Sequence, residues 1–181
     1  MTDRYGVMGH PVAHSKSPFI HARFAAQTSQ DLVYEAIDVE PGGFAAAVET
    51  FRSGGGRGLN VTLPFKQEAF AASHKVSDRA RRAGAVNTLS FEDEAVRGDN
   101  TDGVGLVRDL VSNLGLEIRS RRVLLLGAGG AARGVLGPLL DEAPSELVVA
   151  NRTVSRAESL CRDFADQGAV RSAGFEALEG G

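Results

Sequence analysis

The 181-residue chain has a single cysteine, Cys161, so no intrachain disulfide can form. That residue reads as a small buried hydrophobe on a helix, and the chain as one suited to a reducing, cytoplasmic setting. No apolar run reaches the roughly 18 residues of a membrane span, and residues 1–20 are broken by His10, His14, Lys16 and two prolines. Neither a membrane partner nor a secretory leader is expected. Basic excess is also missing: the formal charge is −3, which argues against a nucleic-acid partner. Lysine is scarce, with Lys16, Lys66 and Lys75 the only three, so a lysine inside a motif stands out.

What is present is ordinary in bulk, with 43% hydrophobic residues, 24% charged residues and 22 glycines, which excludes collagen-like, disordered and disulfide-scaffold chains. Short apolar runs alternate with helical patterns, the rhythm of βαβ units, so the fold class expected is α/β with mostly parallel sheets. Strands are predicted at Tyr5 to Met8, Leu32 to Val39, Leu59 to Leu63 and Thr88 to Phe91. Helices are predicted after Ser17-Pro18, with Ser17 as cap and Ile20 and Phe24 on one face, and from Phe44, Val48 and Phe51, with Ser53 to Gly58 as a glycine-rich stop. Further helices are predicted over about Phe65 to Ser73 and Ser77 to Ala83, and Val104, Val107, Leu110, Val111 and Leu114 mark a long amphipathic one.

Past Leu116 the composition changes, and an apolar run from Val123 enters a glycine turn. The predicted organisation is a first domain over 1–101, a linking helix over 102–120 and a second domain over 121–181. The last contains a helix from about Gly130 to Leu140, a strand at Leu147 to Ala150 and a helix bearing Ala157, Leu160, Cys161 and Phe164. A capping box of Ser155 and Glu158 is predicted at its start, and a third strand around Ala169 to Arg171.

Gly127-Ala128-Gly129-Gly130-Ala131-Ala132 fits G-x-G-x-x-G/A directly after a strand and at the mouth of a helix. Gly127 allows the tight turn, Gly129 admits a pyrophosphate to the main chain, and the free N–H groups of the first helical turn supply donors. A bare strand-to-helix turn is the alternative. The next strand ends in Asn151-Arg152-Thr153, with Arg156 close behind and no carboxylate to hold a ribose 2′-hydroxyl. Two guanidiniums favour the 2′-phosphate of NADP, although a solvated surface arginine is the ordinary reading of either.

In the first part of the chain Ser15 and Ser17 flank Lys16 before Pro18, so two hydroxyls and a helix start converge on a place suited to a small carboxylate. For Ser17 alone, capping is the better reading. The period of two in Leu59-Asn60-Val61-Thr62-Leu63 sends the apolar residues to one face and Asn60 with Thr62 to the other, near the end of the strand where open α/β sheets bind ligands. Lys66 falls in the first turn of the next helix. The macrodipole disfavours a cation there, which suits a lysine that exchanges a proton near neutral pH, while spacing alone leaves a solvated lysine equally open. Asn87 and Asp102 are further polar residues at element boundaries, and Asp102 also reads as a cap for its own helix. The histidines show no metal-ligand spacing, and no metal is expected.

Four segments, Gly9-His10-Pro11-Val12-Ala13-His14-Ser15-Lys16-Ser17-Pro18, Gly58-Leu59-Asn60-Val61-Thr62-Leu63-Pro64-Phe65-Lys66, Gly84-Ala85-Val86-Asn87-Thr88 and Asn100-Thr101-Asp102-Gly103, together with the glycine turn and Asn151-Arg152-Thr153, resemble the shikimate dehydrogenase family. The resemblance implies NADPH-dependent reduction of 3-dehydroshikimate to shikimate in aromatic amino acid biosynthesis. Ser15 and Ser17 would bind the substrate carboxylate, and Asn60, Thr62, Asn87 and Asp102 the ring hydroxyls. Lys66 would be the general acid with Asp102 as its partner. Gly127, Ala128, Gly129, Gly130, Ala131, Asn151, Arg152, Thr153 and Arg156 would bind NADP, with Asp78 either near the cofactor or capping its own helix. Quinate as substrate, a non-catalytic shikimate- and nucleotide-binding module, and a homodimer stay open. Family members continue for roughly another half of this length to complete a six-stranded cofactor sheet, so the resemblance implies an incomplete cofactor domain here.

Overall fold

The computed structural model describes residues 2–92 and 95–178 and divides the chain into two compact units, residues 1–100 and 101–181. In the first, β1 (Asp3–Gly9) sits between β2 (Leu32–Asp38) and β3 (Gly56–Val61), both parallel to it. β5 (Thr88–Phe91) pairs antiparallel with β3 and with β6 (Val96–Asp99), and β6 pairs parallel with β4 (Lys75–Val76). The six-stranded order is β2-β1-β3-β5-β6-β4, and β5 alone runs against the rest. This is the mostly parallel sheet that the alternation of elements predicts.

The core of this unit lies where α2 (Phe44–Ser53), α3 (Lys66–Ala72) and α4 (Asp78–Ala83) meet the sheet. Phe44, Val48 and Phe51 recur at helical spacing and are buried with Met8, Leu59, Val61, Phe65 and Leu89. Phe44 stacks on Phe65 with ring centroids 5.0 Å apart, and burial of such rings contributes about 1.5–3 kcal/mol each before entropy is counted. The remaining helix, α1 (Ser17–Thr28), buries only Ala25; Ile20 and Phe24, expected to share an apolar face, are exposed.

Local signals depart from the predictions at several places. Ser17 is not the cap of α1. Lys16 holds that position with helical backbone angles and no side-chain cap, and Ser15 Oγ accepts the Ser17 N–H at 3.2 Å. Asp78 does not cap α4 either, because Ser77 Oγ accepts the Ala80 N–H at 3.2 Å and Asp78 is the first helical residue. β3 begins at Gly56, inside the segment read as a stop, and ends at Val61. Leu63, expected on the buried face, is 68% exposed, because Pro64 carries the chain away after Thr62. β4 and β6 were not predicted, since each is short and β6 carries Arg97 and Asp99 where an apolar alternation would be sought.

The second unit opens with α5 (Asp102–Arg108), which runs on into a wider π-type turn at Asp109–Asn113. Thr101, not Asp102, is its cap position, and Leu114, expected on the apolar face, is 61% exposed. Parallel strands β7 (Arg122–Leu126), β8 (Glu146–Ala150) and β9 (Val170–Ala173) follow in that order, with α6 (Gly130–Asp141) and α7 (Val154–Phe164) between them. Ala157, Leu160, Cys161 and Phe164 are buried as the helical pattern predicts, packed with Leu136, Leu139, Leu147, Val149 and Ile118. The Ser155–Glu158 capping box does not form: Thr153 is the cap, and Ser155 lies inside the helix. Among the described residues no helix is long and apolar enough to cross a membrane, and none of their His, Cys, Asp and Glu side chains cluster for a metal ion.

Candidate active site

In the first unit the ends of β1 and β3 are brought together by backbone bonds. Thr62 N–H donates to Met8 O at 2.9 Å, and His10 N–H donates to Leu63 O at 2.9 Å. A glycine is required at the junction, because a Cβ on Gly9 would lie 2.4 Å from Thr62 Cγ2. The loop that follows turns back into α1, so that Ser15, Ser17 and Thr62 line one cavity of about 310 Å³ with His10, Val12 and His14. His10 braces the rim, its Nδ1 lying 2.8 Å from Asp38 Oδ1 at the end of β2.

Asn60, on β3, meets Asn87 just before β5. Asn60 Nδ2 donates to Asn87 O at 3.4 Å and to Thr88 Oγ1 at 3.3 Å, while the Thr88 hydroxyl donates to Asn87 Oδ1 at 2.9 Å. Asn87 is 9% exposed, so these partners matter to its stability as well as to its orientation. Tyr34 donates its phenolic hydrogen to Asn60 Oδ1 at 2.7 Å. Burial pushes the phenol up to about 12, with a Ser17 hydroxyl hydrogen bond working in the other direction. Asn60, Tyr34, His21 and Thr88 line a neighbouring cavity of about 550 Å³.

Lys66 is the first residue of α3 and half-buried, and its carbonyl accepts the Val86 N–H at 2.8 Å, tying α3 to the segment that carries Asn87. The fold therefore collects Ser15, Ser17, Asn60, Thr62, Lys66 and Asn87 in the first unit. Asp102 begins α5 in the second, and Asp78 is exposed on α4. Sequence reading missed Tyr34 and gave Thr88 no role, although Thr88 closes one of the quoted motifs. Tyr34 sits in β2 without any motif, and only the side-chain geometry identifies it.

In the second unit Gly127 follows β7 with φ +105°, the left-handed region that favours glycine. Its N–H donates to Ala150 O at 2.7 Å, and α6 starts three residues later. A Cβ at Gly127, Gly129 or Gly130 would meet nothing within 4 Å, so the main chain of Gly127, Ala128, Gly129, Gly130 and Ala131 is open to a bulky ligand. Arg152, Thr153 and Arg156 are exposed beyond the end of β8, and Asn151 Nδ2 donates to Thr153 O at 2.8 Å. Open glycine backbone at a helix N-terminus with guanidiniums beyond the neighbouring strand suits a phosphorylated dinucleotide.

These features define a two-unit α/β protein with a polar cleft in its first unit and a Rossmann-like strand-turn-helix in its second. Residues 7–89 match the shikimate dehydrogenase substrate binding domain family, and residues 109–178 the shikimate / quinate 5-dehydrogenase family. The chain is 56% identical over 180 residues to the shikimate dehydrogenase (NADP(+)) of Chromobacterium violaceum, covering 99% of this chain and 66% of that one. To the enzyme of the same name from Alkalilimnicola ehrlichii it is 57% identical, covering 99% of this chain and 67% of the relative. Among solved structures, an Ael1 enzyme from Pseudomonas putida superposes with TM-score 0.92 at 50% identity, covering 99% of this chain and 66% of that one. Shikimate 5-dehydrogenase from Thermus thermophilus in complex with NADP(H) and shikimate superposes with TM-score 0.87 at 37% identity, covering 95% and 63%. The chain belongs to the shikimate dehydrogenase family and spans about two thirds of the length of these relatives.

Proposed function

We propose that this chain carries the substrate site and part of the cofactor site of an NADP-dependent shikimate dehydrogenase, which reduces 3-dehydroshikimate reversibly to shikimate. The observation that carries the reading is the gathering of Ser15, Ser17 and Thr62 around one cavity, with Asn60 on β3 hydrogen-bonded to the backbone of Asn87 just before β5. Hydroxyl donors at Ser15 and Ser17 suit a carboxylate, and carboxamides at Asn60 and Asn87 suit ring hydroxyls that both donate and accept. The relatives named shikimate dehydrogenase (NADP(+)) support the same substrate and cofactor.

Bound NADPH would supply a hydride to the C3 carbonyl carbon. Lys66 gives its proton to the oxygen that becomes the C3 hydroxyl, and takes it back in the reverse direction. Gly127, Ala128, Gly129, Gly130 and Ala131 would hold the pyrophosphate, while Arg152 and Arg156 would face the 2′-phosphate, with Asn151 and Thr153 shaping the strand end. The single cysteine supports a cytoplasmic location.

Lys66→Ala tests the catalytic assignment. Shikimate-dependent NADP+ reduction is expected to fall by orders of magnitude, with shikimate affinity held within several-fold. Near-normal turnover in the variant would remove Lys66 from its role.

A further inference from the structure

Four side chains of the first unit form a hydrogen-bond chain whose direction can be worked out from donor and acceptor chemistry alone. The Asn87 carbonyl can only accept, so the end of the Asn60 carboxamide that faces it at 3.4 Å must be the NH2. Asn60 Oδ1 therefore faces Tyr34, and the phenol must donate across the 2.7 Å contact. On the other side, Thr88 Oγ1 accepts from Asn60 Nδ2 at 3.3 Å and donates to Asn87 Oδ1 at 2.9 Å. Protons thus point one way, from Tyr34 to Asn60, and from Asn60 through Thr88 to Asn87.

The ring of Tyr34 is fixed independently of these bonds. His21 stacks on it with centroids 3.9 Å apart and planes 11° from parallel. His21 is itself held one turn along α1 by Nδ1, which must donate to Ser17 O at 2.9 Å because a carbonyl has no hydrogen to give. The phenol stays protonated throughout the working range of a protein, since burial raises it to about 12.

We propose that Tyr34 is a positioning residue that locks the Asn60 carboxamide with its oxygen toward Tyr34 and its NH2 toward Asn87 and Thr88, so that Asn60 recognises a ring hydroxyl by donating to its oxygen, one of the two N–H bonds exchanging its long contact to Asn87 O or Thr88 Oγ1 for that oxygen. The inference rests on the reading that Asn60 contacts the shikimate ring. It assigns a task to a residue that lies outside every motif. Without the phenolic hydrogen the carboxamide has no partner to hold Oδ1, and its long contacts to Asn87 and Thr88 are too weak to keep one orientation.

Calorimetric titration of the intact chain with two probes tests this. Shikimate carries the carboxylate and the ring hydroxyls, whereas cyclohex-1-ene-1-carboxylate carries the carboxylate alone. Tyr34→Phe keeps the stack on His21 and removes only the hydroxyl. It is expected to weaken shikimate about fivefold, the size of one lost neutral hydrogen bond, and to leave the deoxygenated probe unchanged. In an Asn60→Ala background the same substitution is expected to add nothing, because Tyr34 acts through Asn60. Asn60→Asp, which preserves an acceptor for Tyr34 but has no N–H, is expected to lose shikimate affinity by at least as much, again sparing the deoxygenated probe. Unchanged shikimate binding by Tyr34→Phe, equal weakening of both probes, or full additivity with Asn60→Ala would each overturn the proposal. If the unsubstituted chain itself fails to bind shikimate, the substrate reading falls and this inference falls with it, an outcome distinct from the other three.

Discussion

Arg152 is the residue on which the choice between two nicotinamide cofactors turns. It is exposed beyond β8, where a carboxylate would favour a free ribose hydroxyl and a guanidinium favours a phosphate. Arg152→Ala should raise the dissociation constant for NADPH much more than that for NADH, as read by fluorescence titration; equal effects would contradict the assignment. Asp99 carries a different kind of prediction. The Arg79 guanidinium donates to it from Nε at 2.7 Å and holds its carboxyl at about 2, helped by the Ser77 hydroxyl and the Asn100 N–H and opposed by partial burial. A depressed carboxyl stabilises the fold fully above its ordinary value of 3.8, and that stabilisation is lost as the pH falls from there through about 2. The stability deficit of Asp99→Asn, followed by urea unfolding, should therefore shrink across that window. Ser15, Ser17, Asn60, Thr62 and Lys66 were legible in the sequence because motif and strand period placed them together. Asp99 and Tyr34 were not, since each owes its importance to a partner 20 or more residues away, Arg79 for the one and Asn60 for the other.

At the scale of elements, α5 and α6 meet through backbone, and the two glycines of α5 separate packing from propensity. A Cβ at Gly103 would lie 2.5 Å from Gly134 O and 2.6 Å from Pro138 Cγ, both on α6, whereas a Cβ at Gly105 would meet nothing within 4 Å. Gly103→Ala should destabilise by about 1–3 kcal/mol through overpacking. Gly105→Ala should stabilise by about 0.5–1 kcal/mol through helix propensity, so the two urea midpoints move in opposite directions. Buried helical stripes such as Phe44, Val48 and Phe51 were readable because one face carries the whole signal. Helix starts were read less well: Ser17, Asp78, Asp102 and Ser155 are all good capping types, yet each lies one or two positions inside its helix. Capping chemistry tolerates such shifts, since Ser15 and Ser77 supply the side-chain acceptor in two of these cases. β4 and β6 escaped because a two-residue strand and a polar four-residue strand have no period to detect.

For the whole molecule, the α/β class and the run of Rossmann-like elements after residue 120 were legible in the alternation of strands and helices. The small size of the second sheet was legible too, but not which residues it leaves exposed. Val123 and Leu125 pack into the core with α6 and α7, while Leu124 and Leu126, alternate residues of the same strand, are 50% and 64% exposed. A sheet of too few strands to be covered in the usual way is expected from the sequence, and the structure adds which residues of β7 face outward. The account's central claim concerns the first unit, that its polar cleft is a shikimate site built from Ser15, Ser17, Asn60, Thr62 and Asn87. The most direct test is calorimetric titration of the intact chain with shikimate, beside the Ser15→Ala/Ser17→Ala double variant. Saturable binding that is lost or weakened more than about tenfold in the double variant is the predicted result, two charge-assisted hydrogen bonds being removed. No saturable binding to the unsubstituted chain, or binding that survives loss of both serines intact, would contradict it.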